Sequence, residues 1–349
     1  MINVGLIGFG FGGRVFHAPI ISAVEGMRLA AVLQRSKSDA AELHPQARVV
    51  RSVEEMLSIP EIDLIVITTP NQTHFPIAKQ FLEQGRNVVV DKPFTVTSQE
   101  ARDLAQLAKA QGKILSVYQN RRWDGDFQTV QKLVREGTLG RIVFFESHYE
   151  RFRPTLRAGA WRERDEPGAG ILFDLGPHLL DQALVLFGIP EAVFADVRTE
   201  RDGSLVDDAF DVTFFYPRMR VLLRSSMLVN VPGARFVLHG DRGSFVKHGM
   251  DPQEEALKQG EKPHGEAWGR EHEGDAGTLV LGDGESRRVP SVAGDYRGYY
   301  ENVRDAILGK ARLAVTPEQG INVMISRPTA GSKPKRARRT PLPITATCS

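Results

Sequence analysis

Gly8-Phe9-Gly10-Phe11-Gly12-Gly13 follows the apolar run Ile2-Asn3-Val4-Gly5-Leu6-Ile7, and this stretch decides the fold. A short apolar run that ends in glycines predicts a buried strand leading into a tight turn. Residues 15–24 then predict the first helix, in which Pro19 indicates either a kink or a late start. A strand, a glycine-rich turn and a helix in this order are typical of the start of a βαβ unit.

The same alternation continues to about residue 119. Four more apolar runs predict strands at residues 28–33, 64–68, 87–90 and 114–118. Helices are predicted between them at residues 52–57, 75–84 and 98–110. Gly85 is expected to cap the second helix, and Ser98 with Glu100 and Asp103 is expected to open the third. We therefore expect an α/β fold whose N-terminal domain, residues 1–119, has a doubly wound parallel sheet of the Rossmann type.

The pattern changes after residue 120. A helix at residues 127–136 precedes strands with alternating polarity at residues 142–151, 194–198, 209–216, 219–227 and 236–240. Alternating strands predict an open, mostly antiparallel sheet, so residues 120–325 are expected to form a C-terminal α+β domain for substrate binding and oligomerisation. Residues 251–273 are polar and predict a loop or a weak helix, and residues 299–308 predict a late helix.

Composition limits the possible functions. The chain has 349 residues, 41% of them hydrophobic, which suits a soluble two-domain protein. The formal net charge is +2, but six basic residues and no acidic residue lie in residues 326–349, so the rest of the chain is net acidic. This argues against nucleic-acid binding. The tail itself predicts disorder, with a basic targeting patch at residues 335–339 as the alternative.

The sequence also argues against metal chemistry and membrane insertion. The chain has one cysteine, Cys348, and its nine histidines show no metal-ligand spacing, so we predict no metal site. No stretch approaches the roughly 20 apolar residues of a membrane span. Residues 1–8 lack a basic leader. We therefore expect a cytoplasmic protein without a membrane partner.

The glycines predict a dinucleotide site. Gly8, Gly10 and Gly13 fit the pattern G-x-G-x-x-G, and Phe9, Phe11 and Gly12 complete the loop. Gly8 is expected to permit the tight turn, Gly10 to let the pyrophosphate approach the backbone, and Gly13 to let helix and strand pack closely. The alternative is a glycine-rich turn without a ligand.

The second strand informs the choice between NAD and NADP. An acidic residue that binds the ribose is expected about 20 residues after the turn. Gln34 stands there instead, followed by Arg35, Ser36 and Lys37. Neutral and basic groups accept a 2′-phosphate, which an acidic group would repel. NADP is therefore predicted as the preferred cofactor, with NAD as the other candidate, unless these basic groups are only solvated surface residues.

Three further clusters accompany the glycine-rich turn. They are Thr68-Thr69-Pro70-Asn71-Gln72-Thr73-His74, Asp91-Lys92-Pro93 and Asp174-Leu175-Gly176-Pro177-His178. In this order the motifs resemble those of the Gfo/Idh/MocA oxidoreductases, over residues 1–325. Phe16-His17-Ala18-Pro19, the segment 120–124 and the segment 150–154 are similar to the branch that contains NADP-dependent scyllo-inositol dehydrogenases.

The resemblance implies roles for these residues. Lys92 would bind the reacting hydroxyl, His178 would be the general acid and base, and Asp174 would bind a substrate hydroxyl and orient His178. The chemistry agrees, because hydride loss from an alcohol needs a proton acceptor near neutral pH. Asp174 and His178 are four residues apart, so on one helix they would face the same side, and a local structural pair or a helix cap is the alternative for them. The cofactor is expected to contact the glycine-rich turn and residues 34–36. The other expected cofactor contacts are Thr69, Pro70, Asn71, His74, Asp91 and Lys92. The candidates for the substrate pocket, besides the catalytic three, are Tyr118, Arg122, Trp123, Arg151 and Arg153, each with a structural role as the alternative.

The predicted activity is thus hydride transfer between NAD(P) and a secondary hydroxyl or carbonyl of a cyclitol or sugar. Three alternatives stay open: reduction of a keto-sugar or anhydrosugar, NAD(P) sensing without catalysis, and NAD-dependent cleavage of a glycoside. The resemblance also implies a homodimer or homotetramer, because sheets of the second domain commonly pack together in this family.

Overall fold

The computed structural model describes residues 1–37, 39–157, 163–326 and 340–341. These residues form two compact units. Among the described residues, the first unit comprises those of Met1–Gly125, Asp251–Arg270 and Ala293–Ile321, and the second comprises those of Asp126–Met250 and Glu271–Val292, with residues 322–326 and 340–341. Segments from the C-terminal half of the chain thus belong to the same unit as the N-terminal sheet.

A parallel sheet of six strands forms the centre of the first unit. Its strands are β1 (Ile2–Ile7), β2 (Met27–Leu33), β3 (Arg48–Val50), β4 (Leu64–Ile67), β5 (Asn87–Val90) and β6 (Leu115–Val117). Their order, β3-β2-β1-β4-β5-β6, is the doubly wound order of dinucleotide-binding folds. The predicted fold of this unit is confirmed. In β4 every residue is buried, as expected for a strand covered on both faces.

Helices connect these strands. They are α1 (Ala18–Ala23), α2 (Asp39–Leu43), α3 (Val53–Leu57), α4 (His74–Glu83) and α5 (Ser98–Ala110). The helix α5 begins one residue after its cap, because Thr97 accepts the backbone N–H of Glu100 while the Glu100 carboxylate accepts that of Thr97. The helix thus begins at Ser98 as predicted, and the capping residue is Thr97. Two elements were missed: β3 has only three residues, and α2 has five.

The helix after the glycine-rich turn differs from its prediction. Residues Gly13–His17 form a π-helical turn, and α1 follows at once with Pro19 in its first turn. Proline is tolerated there because the first N–H groups of a helix have no partner within the helix. The helical segment therefore begins at Phe11, earlier than the predicted residue 15, and α1 itself starts directly before Pro19.

The C-terminal segments of the first unit contain α9 (Gln253–Lys258) and α10 (Arg297–Ile307). Residues 251–273 thus include a helix of two turns in the stretch predicted as a loop or weak helix. The last helix, α11, spans Pro317–Ser326, and its residues divide between the two units after Ile321.

The second unit is built on a sheet of nine strands, in which β7 and β10 pair in parallel and the other pairs are antiparallel. In sequence order the strands are β7 (Ile142–His148), β8 (Ala192–Arg198), β9 (Ala209–Tyr216), β10 (Met219–Ser226), β11 (Phe236–Gly240), β12 (Gly243–Lys247), β13 (Gly277–Leu281), β14 (Ser286–Val289) and β15 (Thr340–Pro341). The predicted open, mostly antiparallel sheet is confirmed. The strands β12, β13 and β14 were missed, since they are short and β14 is mostly polar and exposed.

Three helices accompany this sheet: α6 (Gly125–Arg135), α7 (Ile171–Asp174) and α8 (Gly176–Phe187). Phe127 of α6 and Leu179 of α8 share one buried core with Phe145, Phe210 and Phe236 of the sheet. This core holds α8 against one face of the sheet. It therefore also fixes the position of His178, the predicted catalytic residue in the first turn of α8.

Two expectations concern parts of the chain that the structure describes incompletely. The predicted disorder of residues 326–349 lies outside the described residues, except for Ser326 at the end of α11 and the two residues of β15. Within the described residues, no helix is both long and apolar enough to cross a membrane.

Candidate active site

The glycine-rich turn joins β1 to the helical segment that begins at Phe11. Gly8 has φ +99°, a conformation that side chains rarely adopt. A Cβ atom on Gly13 would lie 2.2 Å from the carbonyl oxygen of Gly8 and 2.8 Å from Thr68 Oγ1. A Cβ atom on Gly10 would meet no heavy atom within 4 Å. Gly8 and Gly13 are therefore required by the turn itself, whereas Gly10 faces open space in which a ligand would fit.

This contrast predicts different effects of two alanine substitutions. Gly13→Ala should lower the free energy of unfolding by about 1–3 kcal/mol or more, because the new methyl group overlaps backbone atoms. Gly10→Ala should leave the unfolding midpoint nearly unchanged but weaken dinucleotide binding by at least about tenfold, because its methyl group occupies the space for the pyrophosphate. Thermal unfolding and fluorescence titration with NADPH measure the two effects. A Gly10→Ala variant whose unfolding midpoint fell as far as that of Gly13→Ala would contradict this assignment.

The end of β2 presents the residues predicted to select the cofactor. Arg35, Ser36 and Lys37 are exposed, whereas Gln34 is buried. The Gln34 side chain accepts the backbone N–H of Ala40 at 3.1 Å, so it supports the start of α2. Its predicted contact with the cofactor ribose stays a prediction.

Sequence reasoning missed Arg51 in this region. Its Nη1 donates to the carbonyl oxygens of Gln34, at 2.7 Å, and Lys37, at 2.6 Å. Arg51 thus fixes both ends of the turn that carries Arg35 and Ser36. The only signal in the sequence is a basic residue directly after β3, and the unpredicted β3 concealed it.

The turn after β4 is held by local hydrogen bonds. Thr68 Oγ1 donates to the carbonyl oxygen of Gly8 at 2.7 Å, which ties this turn to the glycine-rich turn. Thr73 Oγ1 lies 2.6 Å from Thr69 Oγ1 and 2.7 Å from the carbonyl oxygen of Pro70. Asn71 is buried. Local hydrogen bonds therefore hold the turn that carries the predicted cofactor contacts Thr69, Pro70 and Asn71.

His74 connects this turn to the next one. It is buried, with Nε2 2.8 Å from the carbonyl oxygen of Thr69 and Nδ1 3.0 Å from that of Pro93. Burial lowers the pKa of His74, against the opposing effects of Asp91 and of the backbone hydrogen bonds. The observed contacts of His74 are thus structural, and its predicted contact with the cofactor stays a prediction.

Lys92 lies in the turn directly after β5. The Lys92–Pro93 peptide bond is cis. The backbone N–H of Lys92 donates to Asp91 Oδ1 at 2.7 Å, and Asp91 donates its own N–H to the carbonyl oxygen of Ile67 at 2.8 Å. Lys92 itself is partly exposed. Its place at the carboxyl end of a central strand is where open parallel sheets bind ligands.

Three predicted pocket residues of the first unit have structural contacts. Tyr118 is buried, and its hydroxyl donates to the carbonyl oxygen of Phe16 at 2.9 Å. Arg122 Nη1 donates to the carbonyl oxygen of Ala314 at 2.8 Å and to Gln319 Oε1 at 3.0 Å. The ring of Trp123 packs edge-on against Tyr299. Their predicted roles in substrate binding stay predictions.

The second unit holds Asp174 and His178. Asp174 ends α7 and His178 lies in the first turn of α8, so they do not lie on one continuous helix as their spacing suggested. The break occurs at Leu175 because Pro177 has no N–H to donate to the carbonyl group of Phe173. The backbone N–H of His178 instead bonds the carbonyl oxygen of Leu175 at 3.2 Å. The two side chains therefore project from separate helices.

Basic residues lie near Asp174. Arg151 Nη1 is 3.9 Å from Asp174 Oδ2, and its guanidinium lies 5.1 Å from the ring centre of Tyr149. Arg153, two residues further, donates its backbone N–H to the carbonyl oxygen of Met227 at 2.7 Å. His178 is buried, with 5% of its surface exposed. The unit thus brings a guanidinium close to the Asp174 carboxylate, and the predicted catalytic roles of Asp174 and His178 stay predictions.

Asp207 fixes the start of α7. Its carboxylate accepts the backbone N–H of Leu172 at 2.7 Å, and its carbonyl oxygen accepts that of Ile171 at 2.9 Å. Gly170 has φ +90°, and a Cβ atom there would lie 2.2 Å from Asp207 Oδ1. Sequence reasoning missed this contact, which sets the position of Asp174 at the other end of α7.

The chain matches known proteins over nearly its whole length. Residues 2–119 match the model of the oxidoreductase family's NAD-binding Rossmann fold, GFO_IDH_MocA, and residues 131–326 match that family's C-terminal alpha/beta domain. The Escherichia coli oxidoreductase YdgJ is 47% identical, with 93% of each chain covered. The scyllo-inositol 2-dehydrogenase (NADP(+)) IolW of Bacillus subtilis is 38% identical, with 96% of this chain and 95% of the relative covered.

Solved structures agree with these matches. The Bacillus subtilis protein YvaA, described as an oxidoreductase, is 36% identical and superposes with a TM-score of 0.90 over 93% of this chain and 94% of its own. The turn fits an NAD(P) pyrophosphate because Gly10 leaves space and Gly13 packs closely. The chain is a member of the Gfo/Idh/MocA family and an NAD(P)-dependent oxidoreductase, as its motifs predicted.

Proposed function

We propose that this protein is a dehydrogenase that transfers a hydride between NADP and a secondary hydroxyl or carbonyl carbon of a cyclitol or sugar. The observation that carries the proposal is the position of Lys92 at the carboxyl end of β5, with its backbone held by Asp91. The relative IolW, named a scyllo-inositol 2-dehydrogenase that uses NADP, supports a cyclitol as the substrate class.

The residues of the first unit would hold the cofactor and polarise the substrate. The turn from Gly8 to Gly13 would bind the pyrophosphate through backbone N–H groups. When bound, the nicotinamide accepts the hydride. The Lys92 ammonium would donate a hydrogen bond to the reacting hydroxyl oxygen and stabilise the negative charge that develops there as the hydride leaves.

The residues of the second unit would move the proton and orient the substrate. His178 would take the proton of the reacting hydroxyl at a ring nitrogen, and would return it when the reaction runs towards reduction. Asp174 would accept a hydrogen bond from a neighbouring substrate hydroxyl. A carboxylate is the form that accepts such a bond, and Arg151 Nη1 lies 3.9 Å from Asp174 Oδ2.

A pyranoside is the second candidate substrate. The Escherichia coli D-glucoside 3-dehydrogenase is 29% identical over 54% of this chain and 55% of its own. Purified protein should therefore be incubated with NADP⁺ or NAD⁺ and a panel of inositols, aldoses and glucosides, and the formation of reduced cofactor followed by absorbance. Turnover of a cyclitol supports the proposal. Tight cofactor binding without turnover of any polyol would favour a sensor, and release of an aglycone would favour glycoside cleavage.

The exposed turn after β2 supports a preference for NADP. Replacing Arg35 and Lys37 together by alanine should lower kcat/KM for NADP⁺ by about 10- to 100-fold, which is the loss expected when one hydrogen bond to a charged group, worth about 1.5–3 kcal/mol, is removed. The value for NAD⁺ should change little. Steady-state kinetics with both cofactors measures this.

Arg28→Ala is the matched control for that pair. Arg28 is an exposed arginine near the start of the same strand, where it donates to Asn3 Oδ1 at 2.8 Å, far along the strand from the turn. Its replacement should leave the ratio of the two kcat/KM values unchanged. A wild-type protein that turns over faster with NAD⁺ would contradict the proposed preference.

We also propose that the protein is a homodimer or homotetramer. Apolar side chains on the nine-stranded sheet that are only partly buried, such as Phe144, Leu222 and Val237, support this. Sedimentation velocity would measure the number of subunits.

A further inference from the structure

A buried histidine lies beside the glycine-rich turn, and the mechanism above does not use it. His17 ends the π-helical turn, and its side chain is fully buried. Its Nδ1 lies 2.6 Å from the hydroxyl oxygen of Tyr300, a residue of α10. The ring also packs against Tyr118, with 4.0 Å between ring centres. A buried imidazole with a short polar contact has a defined orientation.

The contacts of His17 define where its proton lies. On its other side, Nε2 is 3.7 Å from Asp91 Oδ2. At this distance a bare nitrogen lone pair would be repelled by the carboxylate, which favours the tautomer with the hydrogen on Nε2. Nδ1 then accepts the hydroxyl hydrogen of Tyr300. Burial raises the pKa of Tyr300 well above its usual value, so the phenol keeps that hydrogen at neutral pH.

Asp91 joins this arrangement to Lys92. Its Oδ2 faces His17, while its Oδ1 accepts the backbone N–H of Lys92 at 2.7 Å. The same Oδ2 lies 3.4 Å from the position that a Cβ atom on Gly12 would occupy. The carboxylate is thus confined between His17, the glycine-rich turn and Lys92. Tyr300, His17, Asp91 and Lys92 form a continuous series of polar contacts.

We propose that His17 is a positioning residue for hydride transfer: together with Tyr300 it holds the Asp91 carboxylate in the orientation that fixes the backbone of Lys92. The expected effect on kcat rests on the proposed function of Lys92. The expected effect on the hydrogen exchange of the Lys92 amide does not depend on that function. His17 touches neither the substrate nor the nicotinamide in this assignment, and it acts only through Asp91.

The ionisation of Asp91 agrees with this role. Burial alone would raise the pKa of Asp91, but the interactions with His17, Lys92 and His74 lower it below its usual value. The ionisable groups that interact with Asp91 come from several elements: His17, His74, Lys92, Tyr118, Tyr299 and Tyr300. His17→Phe removes one of the interactions that lower the pKa of Asp91, so this pKa should rise in the variant. The acidic limb of the pH profile of kcat should therefore move to higher pH in His17→Phe.

Four variants of the full-length protein test the proposal. His17→Phe keeps an aromatic ring but removes both nitrogens, and His17→Gln restores one donor that can reach Asp91. Tyr300→Phe removes the hydroxyl that contacts His17. Tyr299→Phe is the matched control, because Tyr299 is a buried neighbour whose hydroxyl instead contacts Ser116 Oγ at 2.8 Å. The two tyrosine variants each lose one buried hydrogen bond, so similar losses of stability are expected from them.

Nitrogen NMR of cofactor-free protein gives the structural readout. In the wild type, His17 should show a protonated Nε2 and an unprotonated Nδ1, with the signals assigned by their absence in His17→Gln. Hydrogen exchange of the Lys92 amide should accelerate in His17→Phe and Tyr300→Phe, but not in Tyr299→Phe. The amide of Val89 in β5 serves as an internal reference. A protonated Nδ1 with a bare Nε2, or equal Lys92 exchange in all variants, would overturn the proposal.

Kinetics gives the functional readout. His17→Phe should lower kcat by about 10- to 100-fold, as expected for a displaced catalytic group, with a smaller change in KM. Tyr300→Phe should lower kcat by about 3- to 10-fold, the effect of one neutral hydrogen bond. His17→Gln should recover most of the loss, and Tyr299→Phe should match the wild type. A wild type that oxidises no polyol would refute the proposed function, while the NMR comparison would still decide the role of His17.

Discussion

Replacing His178 by asparagine should lower kcat for polyol oxidation by about 10²- to 10⁴-fold, the usual contribution of a positioned general base. Asparagine keeps a polar group of similar size at the start of α8 but cannot accept a proton near neutral pH. Hydride transfer would then depend on solvent hydroxide, so the remaining rate should rise with pH. Single-turnover kinetics, followed by the absorbance of the reduced cofactor, measures this directly.

His239→Asn is the matched control for this variant. His239 belongs to the same unit, lies on β11, and contacts Ser244 Oγ at 2.8 Å on an exposed part of the sheet. Its replacement should leave kcat unchanged. A His178→Asn protein that retained wild-type kcat and lost only substrate affinity would contradict the assignment of His178 as the base.

Lys92→Met should lower kcat by about 10²- to 10³-fold, because the electrostatic stabilisation of the developing alkoxide is lost. Methionine fills a similar volume without the charge. The backbone contact between Lys92 and Asp91 does not involve the side chain, so the turn should keep its shape. Affinity for NADPH should therefore decrease much less than kcat, which a fluorescence titration can show.

Lys79→Met is the control for the loss of a positive charge. Lys79 is exposed on α4, where it pairs with Glu83 at 3.8 Å. Its loss should affect neither kcat nor cofactor affinity. A Lys92→Met variant with unchanged kcat would remove the lysine from the proposed mechanism, and a loss confined to cofactor affinity would restrict it to cofactor binding.

The parallel sheet could be predicted because its central strands have no polar face. In β4 all four residues are buried, so the sequence shows an uninterrupted apolar run between turn signals. The predictions failed mainly where elements are short or polar, and they also missed the buried helix α8. The strand β3 has three residues and begins with an exposed arginine, and β14 is exposed over most of its length. Such strands are stabilised by pairing with neighbours, which periodicity does not reveal.

The candidate site was predictable to the extent that it depends on local motifs. The glycine-rich turn and the turn that contains Lys92 follow buried strands, and both were found from that context. The spacing of Asp174 and His178 was misleading, because Pro177 interrupts the helix between them. The contact between His17 and Tyr300 joins residues 283 positions apart, and no pattern along the chain indicates it. Long-range contacts of this kind require the fold.

The most direct test of hydride transfer follows the hydrogen itself. Protein incubated with NADP⁺ and scyllo-inositol deuterated at carbon, or the best substrate of the panel, should yield NADPH with one deuterium at C4 of the nicotinamide, detected by proton NMR. The label should appear at least about 10²-fold more slowly in Lys92→Met and His178→Asn under the same conditions. Bound cofactor that acquires no deuterium from any polyol, aldose or glucoside tested would contradict the account.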